Sequence, residues 1–313
     1  MTFSRLQIVL AIATLGAPIA FPQSQPASVP SNQTQPATAS TGRAPIRTKT
    51  QEEYKAYQTA ISNELIPENM EKAADDFASK FPDSEVRVLL YRAAMSSYQT
   101  SGNPQKMMDM GLKVLAIDKE DPEALIGVAE VLEERTAPTD LDRAPREAQV
   151  IDYATHALRT VDTDLAVPAG TPPDKIEAYK KYLRSTALAL LGSIYYKQEN
   201  YSEAEAKLRD ALGADPANTD PVVVLRLALA LDQEKKYADA LQQANHAVEL
   251  TKENTDLGTM ARNERDRLIV QTGGSPTSVP AAPNSTSTPP QAPAQPAAPA
   301  NPASAPATSA PTH

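Results

Sequence analysis

One stretch of the chain, residues 185–218, sets a pattern that most of the remaining sequence repeats. Its apolar residues recur at spacings of three and four, which predicts two short amphipathic helices joined by a tight turn. Gly192, Ala204 and Ala211 are small residues at places where the two helices would have to approach closely. Leu208 is large enough to fill the space between them. A helix pair of this kind buries its apolar face only by packing on further pairs.

Related units recur along the chain with a period of about 34 residues. This period predicts an all-α, right-handed solenoid of helical hairpins, placed at residues 51–272. The units are expected near residues 51–87, 88–121, 122–163, 185–218 and 221–254, with a capping helix at 259–271.

Two proline-bearing excursions interrupt the pattern, at residues 135–144 and 161–173. Asp174 follows the second excursion, and Asp is favoured at a helix start. The apolar spacing after Asp174 continues without a break into residues 185–218. We therefore expect the first helix of that unit to be extended at its N-terminal end.

The unit at residues 185–218 resembles the tetratricopeptide repeat. The residues that carry the resemblance are Leu188, Leu191, Gly192, Tyr195, Ala204, Leu208, Ala211 and Pro216. The resemblance covers about residues 51–271 and is weakest before residue 88. Met95 stands where the family has a small helix-contact residue, which predicts a looser packing angle, and Gly111 stands where it prefers an aromatic.

In this family the first helices of the repeats line a concave groove that binds peptides or partner proteins, so the resemblance implies such a groove here. The projected groove positions are Arg92, Ser96, Gln99, Ile126, Glu130, Glu133, Glu134, Ser193, Tyr196, Leu225, Leu229 and Asp232. They do not contain the Lys/Asn clamp by which chaperone-binding members hold a C-terminal carboxylate. The acidic residues beside Tyr196 and Leu225 would suit a basic or mixed amphipathic segment. An ordinary solvated face is the alternative.

Both ends of the chain differ from its charged middle. Residues 1–20 carry one positive residue and a short apolar run, as in a secretory signal peptide, with cleavage expected after Ala20. An uncleaved anchor is the alternative. Residues 21–50 are mostly uncharged and rich in Gln, Ser, Thr, Ala and Pro, which predicts a disordered linker. Residues 273–313 predict a Pro/Ala-rich disordered tail, which could be a spacer, a ligand for a proline-reading partner or an O-glycosylated stalk.

Composition excludes several classes of function. The net charge of −9 and the absence of cysteine disfavour nucleic-acid wrapping and rule out disulfides and thiolate metal sites. The sequence has no phosphate-binding or nucleophile-elbow motif. His156 and His246 lack metal-type spacing, and Asp140 and Asp142 lack the rest of a calcium loop. Met107, Met108 and Met110 could form a soft-metal patch, but core packing is favoured.

The sequence therefore predicts a non-catalytic protein without a cofactor, periplasmic or secreted, that binds a protein or peptide in envelope assembly or secretion. No nucleic-acid partner and no membrane span in the mature chain are expected. The alternative is a structural spacer attached to, or threading, the cell wall through its tail. Deleting residues 275–313 separates the two, because loss of localisation with partner binding intact would favour the spacer.

Overall fold

The computed structural model of the chain describes residues 42–63 and 65–274, and these residues form an all-α structure. Eleven α-helices and one short 3-10 turn follow one another within them. The helices are α1 (Gln51–Ile61), α2 (Pro67–Lys80), α3 (Val86–Thr100), α4 (Pro104–Ile117), α5 (Pro122–Glu134), α6 (Arg143–Thr160), α7 (Pro173–Lys197), α8 (Tyr201–Ala214), α9 (Pro221–Gln233), α10 (Tyr237–Leu250) and α11 (Asp256–Gln271). The predicted leader, most of the predicted linker and nearly all of the predicted tail lie outside the described residues.

The helices are arranged as antiparallel pairs, α1–α2 to α9–α10, and the second helix of each pair packs on the first helix of the next. This is the solenoid that the repeat period predicts. Helix α7 is the longest at 25 residues, and it begins at Pro173, one residue before the predicted start at Asp174. Helix α11 follows the last pair and packs on both of its helices.

The helix starts follow from local sequence. Several of the helices, including α2, α4, α5 and α9, have Pro in the first turn, where its missing N–H costs no hydrogen bond. The side chains of Asn103, Asp121 and Asp220 accept hydrogen bonds from backbone N–H groups of α4, α5 and α9. Such caps fix where a helix begins.

Three of the hairpin turns contain one residue in the left-handed conformation. These residues are Gly102 (φ 71°), Glu199 (φ 60°) and Lys235 (φ 62°), which join α3 to α4, α7 to α8 and α9 to α10. Only glycine adopts this conformation without a steric cost. The chain therefore keeps the same tight turn in these units even where glycine is not available.

Helices α7 and α8 approach each other closely at Gly192. A Cβ atom on Gly192 would lie 2.6 Å from Cγ and 3.3 Å from the backbone N of Leu208. Leu208 is fully buried, as are Ala204 and Ala211 on the same helix. The small residues thus let α8 lie directly against α7, as the repeat pattern predicts.

Met95 is buried against two glycines of neighbouring helices. Its side chain is 4% exposed. A Cβ atom on Gly127 would lie 2.8 Å from the Met95 Sδ, and a Cβ atom on Gly111 would lie 3.3 Å from it. The two glycines thus provide the space that the sulfur fills. Met107 and Met110 are also buried in this cluster, so the methionines fill the core.

The N-terminal part of the solenoid departs from one expectation. Residues 42–50 were assigned to the disordered linker, but they contact the solenoid. Ile46 is 4% exposed, and its backbone N–H donates to Val167 O at 2.8 Å.

Across residues 42–63 and 65–274, none of the helices has both the length and the apolarity that crossing a bilayer requires.

The contact between Gly192 and Leu208 gives a direct test of the repeat alignment. Gly192→Leu is expected to lower the free energy of unfolding by about 1–3 kcal/mol, because the new side chain has to displace both the Leu208 side chain and its backbone. Urea denaturation measures the change. Gly213→Ala in α8 is the matched control, since a Cβ there meets nothing within 4 Å. It should leave stability unchanged or raise it by up to about 1 kcal/mol. Equal stability of the parent chain and Gly192→Leu would contradict the alignment.

Candidate functional site

The first helices of successive pairs lie side by side along one side of the solenoid. Helices α1, α3, α5, α7, α9 and α11 contact one another in this order. We call this side the inner face. The projected groove positions lie on α3, α5, α7 and α9, and the structure divides them into a part that the chain itself covers and a part that remains open.

The chain covers the inner face at Arg92 and Ile126. Residues 161–172, which we call the strap, connect α6 to α7, and their Leu165 and Val167 belong to the same buried cluster as Ile126. Arg92 donates a hydrogen bond to the backbone oxygen of Ala166. Both positions were expected to line an open groove, and both belong to the interior instead, because the strap packs on them.

Arg92 is also held by acidic residues at the start of α5. Its guanidinium pairs with Glu123 and lies 3.5 Å from Asp121 Oδ2. Burial raises the pKa of Asp121, and the charge of Arg92 opposes that shift. Burial raises the pKa of Tyr179, in the N-terminal extension of α7, and the charge of Arg92 opposes that shift. This end of the inner face is therefore a closed ionic cluster.

Glu133 joins three inner helices. It is 6% exposed, accepts a hydrogen bond from Ser193 Oγ at 2.5 Å and pairs with Lys197 Nζ at 2.9 Å. Arg226 Nη2 of α9 lies 3.9 Å away. Burial opposes the ionisation of Glu133, but Arg226 and Lys197 outweigh it and hold its pKa below the ordinary value of 4.5. The projected groove residues Glu133 and Ser193 are thus structural links between α5, α7 and α9.

Four projected positions on α3 and α5 are more accessible. Gln99 is exposed and donates to Glu130 Oε2 at 3.0 Å, which links the two helices. Ser96 is partly buried and Glu134 is exposed. These residues form a polar surface, as the solvated-face alternative describes.

An open apolar groove lies between α9 and α11. We call it the C-terminal groove. It has a volume of about 240 Å³ and is lined by Leu225, Leu229, Met260, Asn263, Glu264 and Arg267. Leu225 is buried, Leu229 is partly buried and Met260 is 44% exposed. A groove of this kind can receive an apolar side chain of a bound segment.

Ionic groups lie at the edge of the C-terminal groove. Arg267 Nη2 lies 2.5 Å from Asp232 Oδ2 and 2.9 Å from Glu264 Oε1, and these bonds raise the pKa of Arg267. Asp232 is 9% exposed, and its second oxygen, Oδ1, has no hydrogen-bond partner among the described residues. A buried acceptor without a donor is costly, so this oxygen favours a ligand that supplies one.

Tyr196 of α7 lies near the same ionic groups. Burial raises the pKa of its phenol, and the charges of Glu264 and Asp232 add to the shift. Its ring packs edge-on against Tyr201, with centroids 5.5 Å apart. Of the projected positions, Leu225 and Leu229 line the C-terminal groove, and Asp232 is joined to it by its ion pair with Arg267.

Sequence reasoning missed the contribution of α11. Met260, Asn263, Glu264 and Arg267 follow the spacing of one helix face, which is visible in the sequence. The segment was interpreted only as a cap. The sequence signal for this second role is that the face carries both polar and apolar residues. A helix that only caps a solenoid needs polar residues on its outer side alone.

The other residues that were considered as metal ligands or catalytic groups make structural contacts. Asp140 and Asp142 both pair with Arg146, at 2.9 Å and 2.7 Å. His156 Nε2 lies 2.6 Å from Glu120. In the part of the chain that the structure describes, no group of three or more His, Asp or Glu residues could hold a metal ion.

Comparison with known proteins gives a likeness in fold. No protein-family model matches the sequence. No curated protein matches it either. Among solved structures, PilF of Pseudomonas aeruginosa matches with a TM-score of 0.50 and 18% identity, over 71% of this chain and 86% of PilF.

Two further structures match less closely. PilW, described as a widely conserved type IV pilus biogenesis factor, has a TM-score of 0.45 and 18% identity, over 72% of this chain and 87% of PilW. A thermophilic TPR protein of Thermus thermophilus has a TM-score of 0.43 and 15% identity, over 68% of this chain and 98% of that protein. The likeness to PilF agrees with the arrangement of helix pairs, and the chain is a solenoid with the tetratricopeptide-repeat fold.

Proposed function

We propose that the protein is a non-catalytic scaffold that binds a segment of a partner protein in the C-terminal groove. The observation that carries the proposal is Asp232 Oδ1, a buried acceptor without a partner among the described residues. Asp232 pairs with Arg267, which lines the groove together with Leu225, Leu229 and Met260. A segment with an apolar side chain next to a donor would fill the groove and satisfy this oxygen.

The charges at the groove define the partner further. Asp232 and Glu264 carry two negative charges against the one positive charge of Arg267. The excess negative charge favours a cationic donor, such as Lys or Arg, next to the apolar residue. The partner is thus a basic or mixed amphipathic segment, and the polar surface at Ser96, Gln99 and Glu134 is a solvated continuation of the site.

The proposed location is the cell envelope. It rests on residues 1–20, whose positive residue and apolar run have the form of a secretory leader. The mature chain would then act in the periplasm or outside the cell, in envelope assembly or secretion.

Site-specific photo-crosslinking in the native host tests the groove. A benzoylphenylalanine at Leu229 is expected to form a covalent adduct with a distinct partner protein, and the same residue at Leu112 is the control. Leu112 is 44% exposed and lies on α4, away from the inner face. Adducts at neither site, or the same adducts at both, would contradict the proposal.

Asp232→Asn tests the cationic donor. It removes a charge but keeps the shape of the side chain, and it should lower the adduct yield at position 229 by about tenfold or more. A hydrogen bond to a charged group contributes about 1.5–3 kcal/mol, which corresponds to at least that factor. Unchanged yield would show that the partner does not bind through Asp232.

Glu133→Gln should lower the stability of the fold but leave partner binding unchanged, because Glu133 links helices of the chain itself. At pH 7 it is expected to lower the free energy of unfolding by about 1–3 kcal/mol, without reducing the adduct yield at position 229. The pKa of Glu133 is lower in the folded chain than its ordinary value of 4.5. Its carboxylate therefore stabilises the fold above that value, and the contribution is lost as the pH falls through the folded pKa.

The free-energy difference between the parent chain and Glu133→Gln should accordingly shrink as the pH falls below the ordinary value of 4.5 and through the lower folded pKa. Urea denaturation at several pH values measures it. A difference that is independent of pH would show that the Glu133 network does not stabilise through its charge.

A further inference from the structure

The segment that precedes the first helix is bound along the edge of the strap. Residues 42–49, which we call the N-terminal arm, run parallel to the strap and bridge it at Ile46 and Pro168. Three backbone hydrogen bonds join the arm to the strap. They run from Arg43 N to Thr163 O (2.7 Å), from Ile46 N to Val167 O (2.8 Å) and from Ala169 N to Ile46 O (3.0 Å). The arm is thus added to the strap as a strand is added to the edge of a sheet.

One side chain of the arm enters the core. Ile46 belongs to the same buried cluster as Val88 and Ala166. Its neighbours Pro45 and Arg47 are exposed. Main-chain hydrogen bonds along an edge, together with a pocket for an occasional side chain, are the contacts by which a peptide ligand is bound in strand addition. The arm therefore has the contacts of a bound peptide and not those of a helix in the solenoid.

The charge of the arm is opposite to that of the whole chain. Two arginines and one lysine give the arm three positive charges and no negative one, whereas the chain has a net charge of −9. Arg43 is bonded to Asp118, which follows α4, and its Nη2 lies 3.6 Å from Oε2 of Glu85, which precedes α3. The solenoid thus holds an extended basic segment through one ionic and one aliphatic anchor.

The edge that binds the arm exists because the strap is long. The strap connects α6 to α7 over residues 161–172, whereas residues 118–121 suffice between α4 and α5. Ala166 O accepts a hydrogen bond from Arg92 on the inner face, and the next carbonyl oxygen, that of Val167, accepts one from the arm. The strap is therefore fixed to the solenoid on one side and offers its backbone to an extended segment on the other.

The arm is held by far less buried surface than a helix of the solenoid. Within the arm Ile46 is the one buried side chain, whereas α3 has buried residues along its length, from Val86 to Tyr98. An element with few buried contacts opens at a lower free energy than the core. The arm can therefore leave the strap while the helix pairs stay folded. Its departure exposes the strap edge, the pocket that Ile46 fills and the carboxylate of Asp118.

We propose that the strap edge is a second peptide-binding site, which the N-terminal arm occupies as an intramolecular ligand. Its external ligand is an extended basic segment of a partner protein, with an arginine three residues before an aliphatic residue, as Arg43 stands before Ile46. The arginine binds Asp118, and the aliphatic side chain fills the Ile46 pocket. The arm competes at the high effective concentration of a tethered ligand, so it keeps the site closed until the partner displaces it. The residues of this site differ from those of the C-terminal groove, so neither proposal depends on the other.

Fluorescence anisotropy with a labelled peptide of residues 42–49 tests the site. The double variant Arg43→Ala/Ile46→Asp of the full chain releases the arm, because it removes the ion pair and would bury a charge. The peptide should bind this variant with a dissociation constant in the micromolar range. It should bind the parent chain at least about tenfold more weakly, since the arm competes there. No binding to the variant at about 1 mM peptide, equal binding to both chains, or equal binding of a scrambled peptide of the same composition would overturn the proposal.

Two further substitutions in the released chain distinguish this site from the C-terminal groove. Asp118→Asn should weaken peptide binding by about tenfold or more, because it removes the charge that pairs with the arginine. Asp232→Asn is the matched control and should leave peptide binding unchanged. Binding that does not depend on Asp118, or that depends on Asp232, would overturn the proposal.

Native-state hydrogen exchange of the unsubstituted chain gives a test that does not depend on the folding of any variant. The N–H groups of Arg43, Ile46 and Ala169 donate the bonds that join arm and strap, so they are protected while the arm is bound. They should exchange at least about tenfold faster than N–H groups in the middle of α3 and α5, because the arm leaves without unfolding of the helix pairs. Exchange at the same rate as in these helices would show that the arm is a structural part of the solenoid, and would overturn the proposal.

Sedimentation velocity shows whether the arm binds its own chain. The parent chain and Arg43→Ala/Ile46→Asp should have the same mass, because an intramolecular ligand links no second copy. A dimer of the parent chain that the double variant dissociates would show that the arm fills the strap site of another copy, and would overturn the proposal.

Discussion

No helix pair of this chain can bury its apolar faces alone, and the rest of the structure follows from that constraint. Each pair is stabilised by its neighbours on both sides, so the solenoid needs a special solution at each end. At the C-terminal end α11 supplies it and buries Ala261 and Leu268. At the N-terminal end the first pair has α3 on one side and no preceding helix among the described residues.

The same constraint explains why the inner face is a mixture of structural and accessible residues. Nearest-neighbour packing brings α5, α7 and α9 together, and their polar inner residues then have to satisfy one another. Glu133 does so through Ser193, Lys197 and Arg226. Several buried carboxylate oxygens, including Asp121 Oδ2 and Asp232 Oδ1, are left without a donor from the described part of the chain, and Asp232 is the one that pairs with Arg267 of the C-terminal groove. A candidate site thus arises where the internal bonding is incomplete.

The sequence predicts those features that depend on local pattern. The helix pairs, the long α7 and the close contact at Gly192 follow from apolar spacing, proline positions and small residues. Features that depend on contacts between distant segments could not be predicted in this way. The position of Met95 suggested looser packing, but Gly111 and Gly127, on neighbouring helices, provide the space for it. Of the groove positions, Arg92 and Ile126 were misplaced because the pattern within α3 and α5 does not show that the strap packs on them.

The strap also determines which half of the inner face can bind a partner. With residues 161–172 packed on Ile126 and bonded to Arg92, these two positions of α3 and α5 belong to the interior, and only the polar positions of the two helices remain accessible. Helix α11 then has two roles, since it covers the last apolar face with Leu268 and lines the C-terminal groove with Met260 and Arg267. The two sets of residues lie on different faces of one helix. Stability and recognition are therefore coupled at α11, because any change that displaces the helix opens the core and removes one wall of the groove together.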